Sequence, residues 1–172
     1  CIVVAALNDD EGLSMGSAPF SLNSWPYDSG YRPNRRSEAT DAGVSEDGFM
    51  ELGDVPNDVE LVDQYGRTVE LYQFYGSPVL VEVSAVWCPS CQQAAESSND
   101  LWQDYRGDGV VFLTLMLEDA NGAEADADDA TMWADFYGLE DPVLASQGGS
   151  GLADFRSRIS GLPTIIMLDR EL

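Results

Sequence analysis

The apolar positions of this chain fall into short strand-length runs interrupted by one long helical period. Residues 59–62 and 68–71 flank Asp63-Gln64-Tyr65-Gly66-Arg67, which reads as two short strands around a glycine turn. Leu71-Tyr72-Gln73-Phe74-Tyr75 runs into Gly76 and Pro78, a short helical turn with a firm stop. Residues 78–85 are almost all apolar, as in a central strand covered on both faces. Beyond them Cys91, Ala94, Ala95, Ser98, Leu101, Trp102 and Tyr105 recur at helical spacing. That spacing predicts an amphipathic helix from Pro89 to about Tyr105. A second buried strand is expected over 110–117 and a second helix over 131–137, with Met132, Trp133, Phe136 and Tyr137 on adjoining faces. A shorter helix over 151–158 and a third strong strand over 164–168 complete the pattern. Strands alternating with helices make this an α/β domain with parallel central strands.

Upstream of this pattern no period persists. Residues 8–48 are rich in Ser, Gly, Asn, Pro and acids, so the chain divides into an N-terminal flexible linker, 1–48, and a domain, 49–172. Trp25, Tyr27 and Tyr31 are aromatic exceptions in the linker, either scattered in a loose segment or packed on the domain. Arg32, Arg35 and Arg36 form a small basic island whose expected use is intramolecular pairing.

Charge narrows the function classes. The 172 residues hold 31 acids against 8 basic residues, a net charge of −23, and every basic residue is Arg. Such a field repels phosphate backbones and gives anionic lipid no basic patch to hold, so neither nucleic acid nor a charged membrane surface is a partner. No apolar run is long enough to span a bilayer. The chain begins with Cys1. An N-terminal Cys is what signal cleavage leaves on a bacterial lipoprotein, where it carries the lipid. The apolar residues 2–7 also suit the remainder of a signal peptide. On either reading the protein is exported, to the periplasm or cell envelope, and touches a membrane only through a lipid on Cys1.

The chemistry has a definite address. Trp87-Cys88-Pro89-Ser90-Cys91 places two cysteines with two residues between them, after a buried strand and at the mouth of a helix, the setting of a redox-active dithiol. Structural zinc needs a fuller set of Cys and His ligands, and the chain has 3 Cys and no His. A purely structural bridge across so short a loop constrains the unfolded chain little. Pro89 suits the first helical position, which sets the Cys88 sulfur over unpaired backbone N–H groups at the positive end of the helix. Cys88 is therefore the expected nucleophile and Cys91, one turn inward, the resolving thiol. No cofactor is needed beyond the Cys88–Cys91 disulfide. Glu82, a lone acid in the apolar strand, is the candidate base for Cys91, its pKa raised by burial; strand alternation could instead turn it to solvent. Gly161-Leu162-Pro163-Thr164 precedes the last strand, with Pro163 either a strand-start residue or cis. Trp87, Pro89, Leu162 and Pro163 are the candidate substrate-binding residues, the Leu162 backbone offering an edge for an added strand. The acids of 118–129 lack the spacing of a calcium loop and read as a solvated loop.

These residues together resemble the thioredoxin fold: Trp-Cys-x-x-Cys after a buried strand, an acid six residues before the first Cys, and Gly-Leu-Pro-Thr before a late strand. More narrowly, residues 49–172 resemble the extracytoplasmic thioredoxin-like thiol–disulfide oxidoreductases grouped with the alkyl hydroperoxide reductase/thiol-specific antioxidant superfamily. The resemblance implies a central mixed sheet flanked by helices, with a strand–helix insertion between Leu117 and Gly161. It implies Cys88 as nucleophile, Cys91 as resolver, Pro163 as cis-proline and Glu82 as the buried acid. Its partners would be cysteine-containing exported proteins and an upstream thiol or disulfide donor. Three features depart from the family: Pro-Ser between the cysteines, where the dipeptide tunes the potential; an unusually acidic insertion; and the absence after Leu172 of the family's last strand and helix. A peroxiredoxin is a rival reading, but the Thr or Ser and the Pro that such enzymes carry ahead of the cysteine are here Ala85 and Val81. A copper-delivery protein on this fold would need a His. A non-enzymatic binding module is a third reading.

Overall fold

The computed structural model describes residues 2–5, 31–38, 56–146 and 159–172. Strand β1 (Ile2–Ala5), β2 (Glu60–Asp63), β3 (Thr68–Glu70), β4 (Val79–Ala85), β5 (Val111–Glu118), β6 (Val143–Ala145) and β7 (Thr164–Leu168) form a seven-stranded sheet in the order β1-β7-β4-β5-β6-β2-β3. β4 runs parallel to β5 and antiparallel to β7, and β5 runs parallel to β6. The sheet is therefore mixed, with a parallel centre, as expected of a thioredoxin-like α/β fold.

The two faces of β4 explain its lack of alternation. Val79, Val81 and Val83 meet Val111, Leu113 and Leu115 in one core, closed by Leu71, Tyr72 and Phe74 of a 3-10 turn. The opposite face carries Glu82, Ser84, Thr114 and Met116, all buried. Here a second core joins Met116 to Cys91, Ala95 and Trp133. Helix α1 (Pro89–Tyr105) covers this face, burying Cys91, Ala95, Ser98 and Trp102. The Arg106 guanidinium sits 4.7 Å from the Trp102 ring centre at its end, and Gly109, at φ 83°, turns the chain into β5. Only glycine takes that left-handed conformation without strain.

Helix α2 (Ala127–Tyr137) starts a turn earlier than hydrophobic periodicity predicts. The Asp126 carboxylate accepts from the backbone N–H groups of Asp128 and Asp129, and the Asp129 carboxylate accepts from Asp126 N. This is a reciprocal cap. Half of the acids read as a solvated loop thus build a helix start, where negative charge is favourable. β6 falls in the segment where the resemblance implied a strand–helix insertion, but the residue pattern did not locate it; three residues are too few for a period to register.

Two pieces of the segment read as linker lie on the domain. Ile2–Ala5 pairs in parallel with β7 as an edge strand, Ile2 opposite Thr164. Residues 31–38 are held by aromatic and polar contacts. Tyr31 donates to Asp63 Oδ2 (2.9 Å) and meets Phe74 edge to face. Arg35 and Arg36 lie over the Tyr75 and Tyr72 rings. The basic island is thus used within the molecule, on tyrosine faces. Trp25, Tyr27, Cys1, the boundary at 48/49 and the helix expected over 151–158 fall outside the described residues.

Asp63 ties the Tyr31 segment to the turn after β2. It is fully buried and accepts from Tyr31, from the backbone of Tyr65 and Arg67, and from Arg67 Nε at 2.7 Å. Asp63→Ala leaves these donors unpaired, so we expect a loss of about 2 kcal/mol or more in urea unfolding. Asp63→Asn should lose less, because it keeps an acceptor.

Candidate active site

The dithiol sits where β4 ends and α1 begins, and backbone geometry makes the junction. Val86 N donates to Glu118 O, Cys88 N to Ala85 O, and Gln92 N to Cys88 O, so the chain leaves the sheet in a tight turn and enters the helix at once. Cys88 is the N-cap and Pro89 the first helical residue, where a missing N–H costs nothing.

Cys88 and Cys91 form a disulfide. The Cys88 sulfur accepts from Cys91 N at 3.2 Å, occupying the place a capping oxygen would take. That position favours negative charge on the sulfur once the bond is reduced. Cys91 is fully buried, and Cys88 only 3% exposed. Trp87, Pro89 and Ser90 beside them are exposed.

Trp87, Pro89, Leu162 and Pro163 gather at the disulfide, while Glu82 lies deeper on the sheet face beneath α1. Leu162–Pro163 is a cis peptide, and the Ser90 hydroxyl donates to Leu162 O at 3.2 Å, tying the loop before β7 to the first turn of α1. Leu162 touches both cores. Trp87 is 47% exposed, with its indole N–H donating to Glu118 Oε2 at 2.8 Å, so the ring stands beside Cys88 at a fixed angle. Glu82 lies on the α1 face of β4, 8% exposed, and Ser84 Oγ donates to its Oε1 at 3.0 Å. It does not point to solvent. Burial pushes its carboxyl above the usual range, partly offset by the Ser84 hydrogen bond. Cys1 lies outside the described residues.

Ser90 is the residue that sequence reasoning passed over. Its hydroxyl is 3.3 Å from Cys88 Sγ as well as bonded to Leu162. In the sequence it was only half of a dipeptide; the signal for it was a hydroxyl inside the Cys-x-x-Cys loop. The hydroxyl has one proton, so it serves either the Leu162 carbonyl or the sulfur. Among the described residues no group of three or more His, Cys, Asp or Glu is placed to hold a metal ion, and no helix is long and apolar enough to cross a membrane.

Residues 52–171 match the AhpC/TSA family model, which covers well over half of the chain, and the chain belongs to that family. The thiol–disulfide oxidoreductase ResA of Bacillus thuringiensis subsp. konkukian is 28% identical over 125 residues, 71% of this chain and 66% of ResA. The alignment thus spans just under two thirds of that relative's own length. Two solved structures share the fold. The thioredoxin domain of a thiol-disulfide oxidoreductase from Bacteroides vulgatus has a TM-score of 0.60 at 19% identity, covering 71% of this chain and 84% of that one. A secreted disulfide oxidoreductase of Mycobacterium tuberculosis has a TM-score of 0.53 at 17% identity, covering 65% and 76%.

The Ser90 geometry gives a direct expectation. Ser90→Ala removes a donor that can turn to the Cys88 thiolate, so the thiol should become less acidic. Following thiolate absorbance or alkylation rate against pH in the reduced protein measures it. An unchanged titration would mean the hydroxyl stays on Leu162 in both redox states.

Proposed function

We propose that this member of the AhpC/TSA family is a thiol–disulfide oxidoreductase that acts on cysteine-containing proteins outside the cytoplasm. The observation that carries the reading is the Cys88–Cys91 disulfide at the start of α1, with the Cys88 sulfur in the capping position. The family match and the similarity to ResA support it.

Cys88 is the attacking residue. Its thiolate attacks one sulfur of a substrate disulfide, forming a mixed disulfide and expelling the other sulfur as thiolate. Cys91 then loses its proton and attacks Cys88 Sγ. That step closes the Cys88–Cys91 bond and expels the second substrate sulfur, so the substrate gains two electrons and the protein loses two. The reverse steps oxidise a substrate dithiol, and the potential of the pair fixes the direction. A second thiol or disulfide partner resets the pair after each turnover.

Glu82 is the base for Cys91, on the sheet face that α1 covers. Trp87, Pro89 and the Leu162–Pro163 loop receive the substrate chain. The exposed indole beside Cys88 offers apolar area, and the Leu162 backbone offers an edge for strand addition once Ser90 releases it. Location outside the cytoplasm is supported by the secreted neighbour of the same fold and by the persistence of disulfide chemistry in such compartments. A lipid on Cys1 would tether the protein there.

The purified chain should catalyse insulin disulfide reduction by dithiothreitol. Cys88→Ser should abolish turnover, while Cys91→Ser should accumulate mixed disulfides with Cys88, visible as mass adducts that dithiothreitol removes. If Cys91→Ser traps no adduct and the native chain turns nothing over, the exchange mechanism is wrong.

A further inference from the structure

Beneath the dithiol helix lies a second buried acid that the exchange scheme does not use. Asp141 precedes β6 and is completely enclosed. Its Oδ2 accepts from Thr114 Oγ1 at 3.3 Å, while its Oδ1 has no hydrogen-bond partner among the described residues. Thr114 is the register partner of Glu82 across the parallel β4–β5 pair and of Val143 across β5–β6. Side chains of register partners stand side by side on one face of a sheet. Glu82 and Thr114 therefore stand side by side on the face that α1 covers, and Thr114 is bonded in turn to Asp141, two residues before its register partner Val143. Burying one such carboxylate is costly unless it is neutral or fully bonded, and two ionised carboxylates enclosed together repel each other.

We infer that Asp141 and Glu82 are one proton-sharing pair joined across Thr114, and that Asp141 is a positioning residue for the dithiol, governing when Glu82 can accept the Cys91 proton. The inference rests on the exchange reading of Cys88 and Cys91. Thr114 fits the role because a hydroxyl donates and accepts. It donates to an ionised Asp141, and it accepts from a protonated one while its own proton turns towards Glu82.

The charges around the two carboxyls leave this pairing undisturbed. From the β2 end comes Asp63, neutralised by Arg67 at 2.7 Å. From the end of α1 comes Arg106, 3.9 Å from Glu140, both at least a third exposed. Gln64 contributes only neutral bonds, donating to Asp141 O and accepting from Val143 N. Burial drives the Asp141 carboxyl up to about 7, its own backbone N–H and Thr114 pull it back, and the charge on Glu82 raises it further. The two buried carboxyls therefore titrate as a coupled pair, the ionised form of one raising the other.

In the resolving step the Cys91 S–H proton passes to the Glu82 carboxylate. The Cys91–Cys88 bond forms as the bond from Cys88 to the substrate sulfur breaks, and that sulfur leaves with the electron pair. While Asp141 and Glu82 share a proton, Glu82 is only partly free to take another. Once both are ionised, each strengthens the other as a base.

Carbon-13 NMR of the side-chain carboxyls in the full reduced chain tests the pair without any assay of activity. The native protein should show two coupled steps, the upper at about pH 7. Glu82→Gln should leave a single Asp141 step, moved below its native position but still raised by burial. An Asp141 titration unmoved in Glu82→Gln overturns the pairing, and this variant decides the matter even if Asp141→Asn does not fold. The positioning role is read from single-turnover release of a Cys88 mixed disulfide. Asp141→Asn should move the rise in rate to lower pH by about one unit, whereas a merely structural Asp141 would lower the melting temperature and leave the pH profile in place. If the native protein exchanges no disulfide at all, the functional reading fails while the carboxyl titration still reports on the pair.

Discussion

One short backbone turn, from the last residue of β4 into the first of α1, determines the rest of the site. Ala85 must accept from Cys88 N and Val86 must stay on Glu118 for the chain to leave the sheet and begin a helix within three residues. A proline at the first helical position makes this easy, and the residue before it must be extended, as Cys88 is at φ −85° and ψ 110°. The sulfur then has nowhere to go but over the first free N–H groups. The loop before β7 comes in against the same turn through Ser90 and Leu162. Both sulfurs of the disulfide and the cis-proline loop therefore meet at the strand-to-helix junction.

The sheet beneath that junction is asymmetric for a reason. One face of β4 and β5 is all hydrocarbon, closed by Leu71, Tyr72 and Phe74. The other carries Glu82, Ser84, Thr114 and Met116 under α1. Placing these polar groups in a core forgoes hydrophobic stabilisation, and each needs a bonded neighbour to be tolerated. Ser84 serves Glu82 and Thr114 serves Asp141. An apolar residue in place of Glu82 would avoid the cost of burying a carboxyl, but under the proposed exchange scheme it would remove the base assigned to Cys91.

What the sequence disclosed follows from the range over which each signal acts. The β4 run, the helix from Pro89 to Tyr105 and the dithiol are local, and each stood out without tertiary information. The burial of Glu82 was ambiguous because valines on both sides erase alternation; only the partner strands reveal which face is polar. β6 and the pairing of Ile2–Ala5 with β7 arise from contacts distant in sequence. The start of α2 was hidden by its own chemistry, since Asp126, Asp128 and Asp129 look like solvated charge until their carboxylates are seen bonded to backbone N–H groups. Ser90 needed Leu162, seventy-two positions away, to acquire a role. Asp141 gave no local sign, because it follows Glu140 in what reads as a polar turn.

The overall charge sharpens the physical demand on the junction. A net charge of −23 opposes a thiolate anywhere on this surface. Described arginine side chains are engaged elsewhere: Arg35 and Arg36 lie over the Tyr75 and Tyr72 rings, Arg67 pairs with Asp63, and Arg106 lies over Trp102 at the end of α1. Glu118, the last residue of β5, and Asp119 after it bring acid close to the turn that carries Cys88, where Val86 N donates to Glu118 O. At physiological salt, charges beyond about 8 Å are largely screened, so the distant excess of acid weighs less than its total suggests. The balance is struck within a few ångströms, where the Cys91 N–H donates to the sulfur and the Ser90 hydroxyl lies 3.3 Å from it, able to turn from Leu162 O. In a protein with no lysine or histidine, backbone dipole and one hydroxyl must do what a neighbouring cation does elsewhere. The thiolate at Cys88 is consequently more sensitive to the geometry of the first helical turn than to the charge of the protein around it.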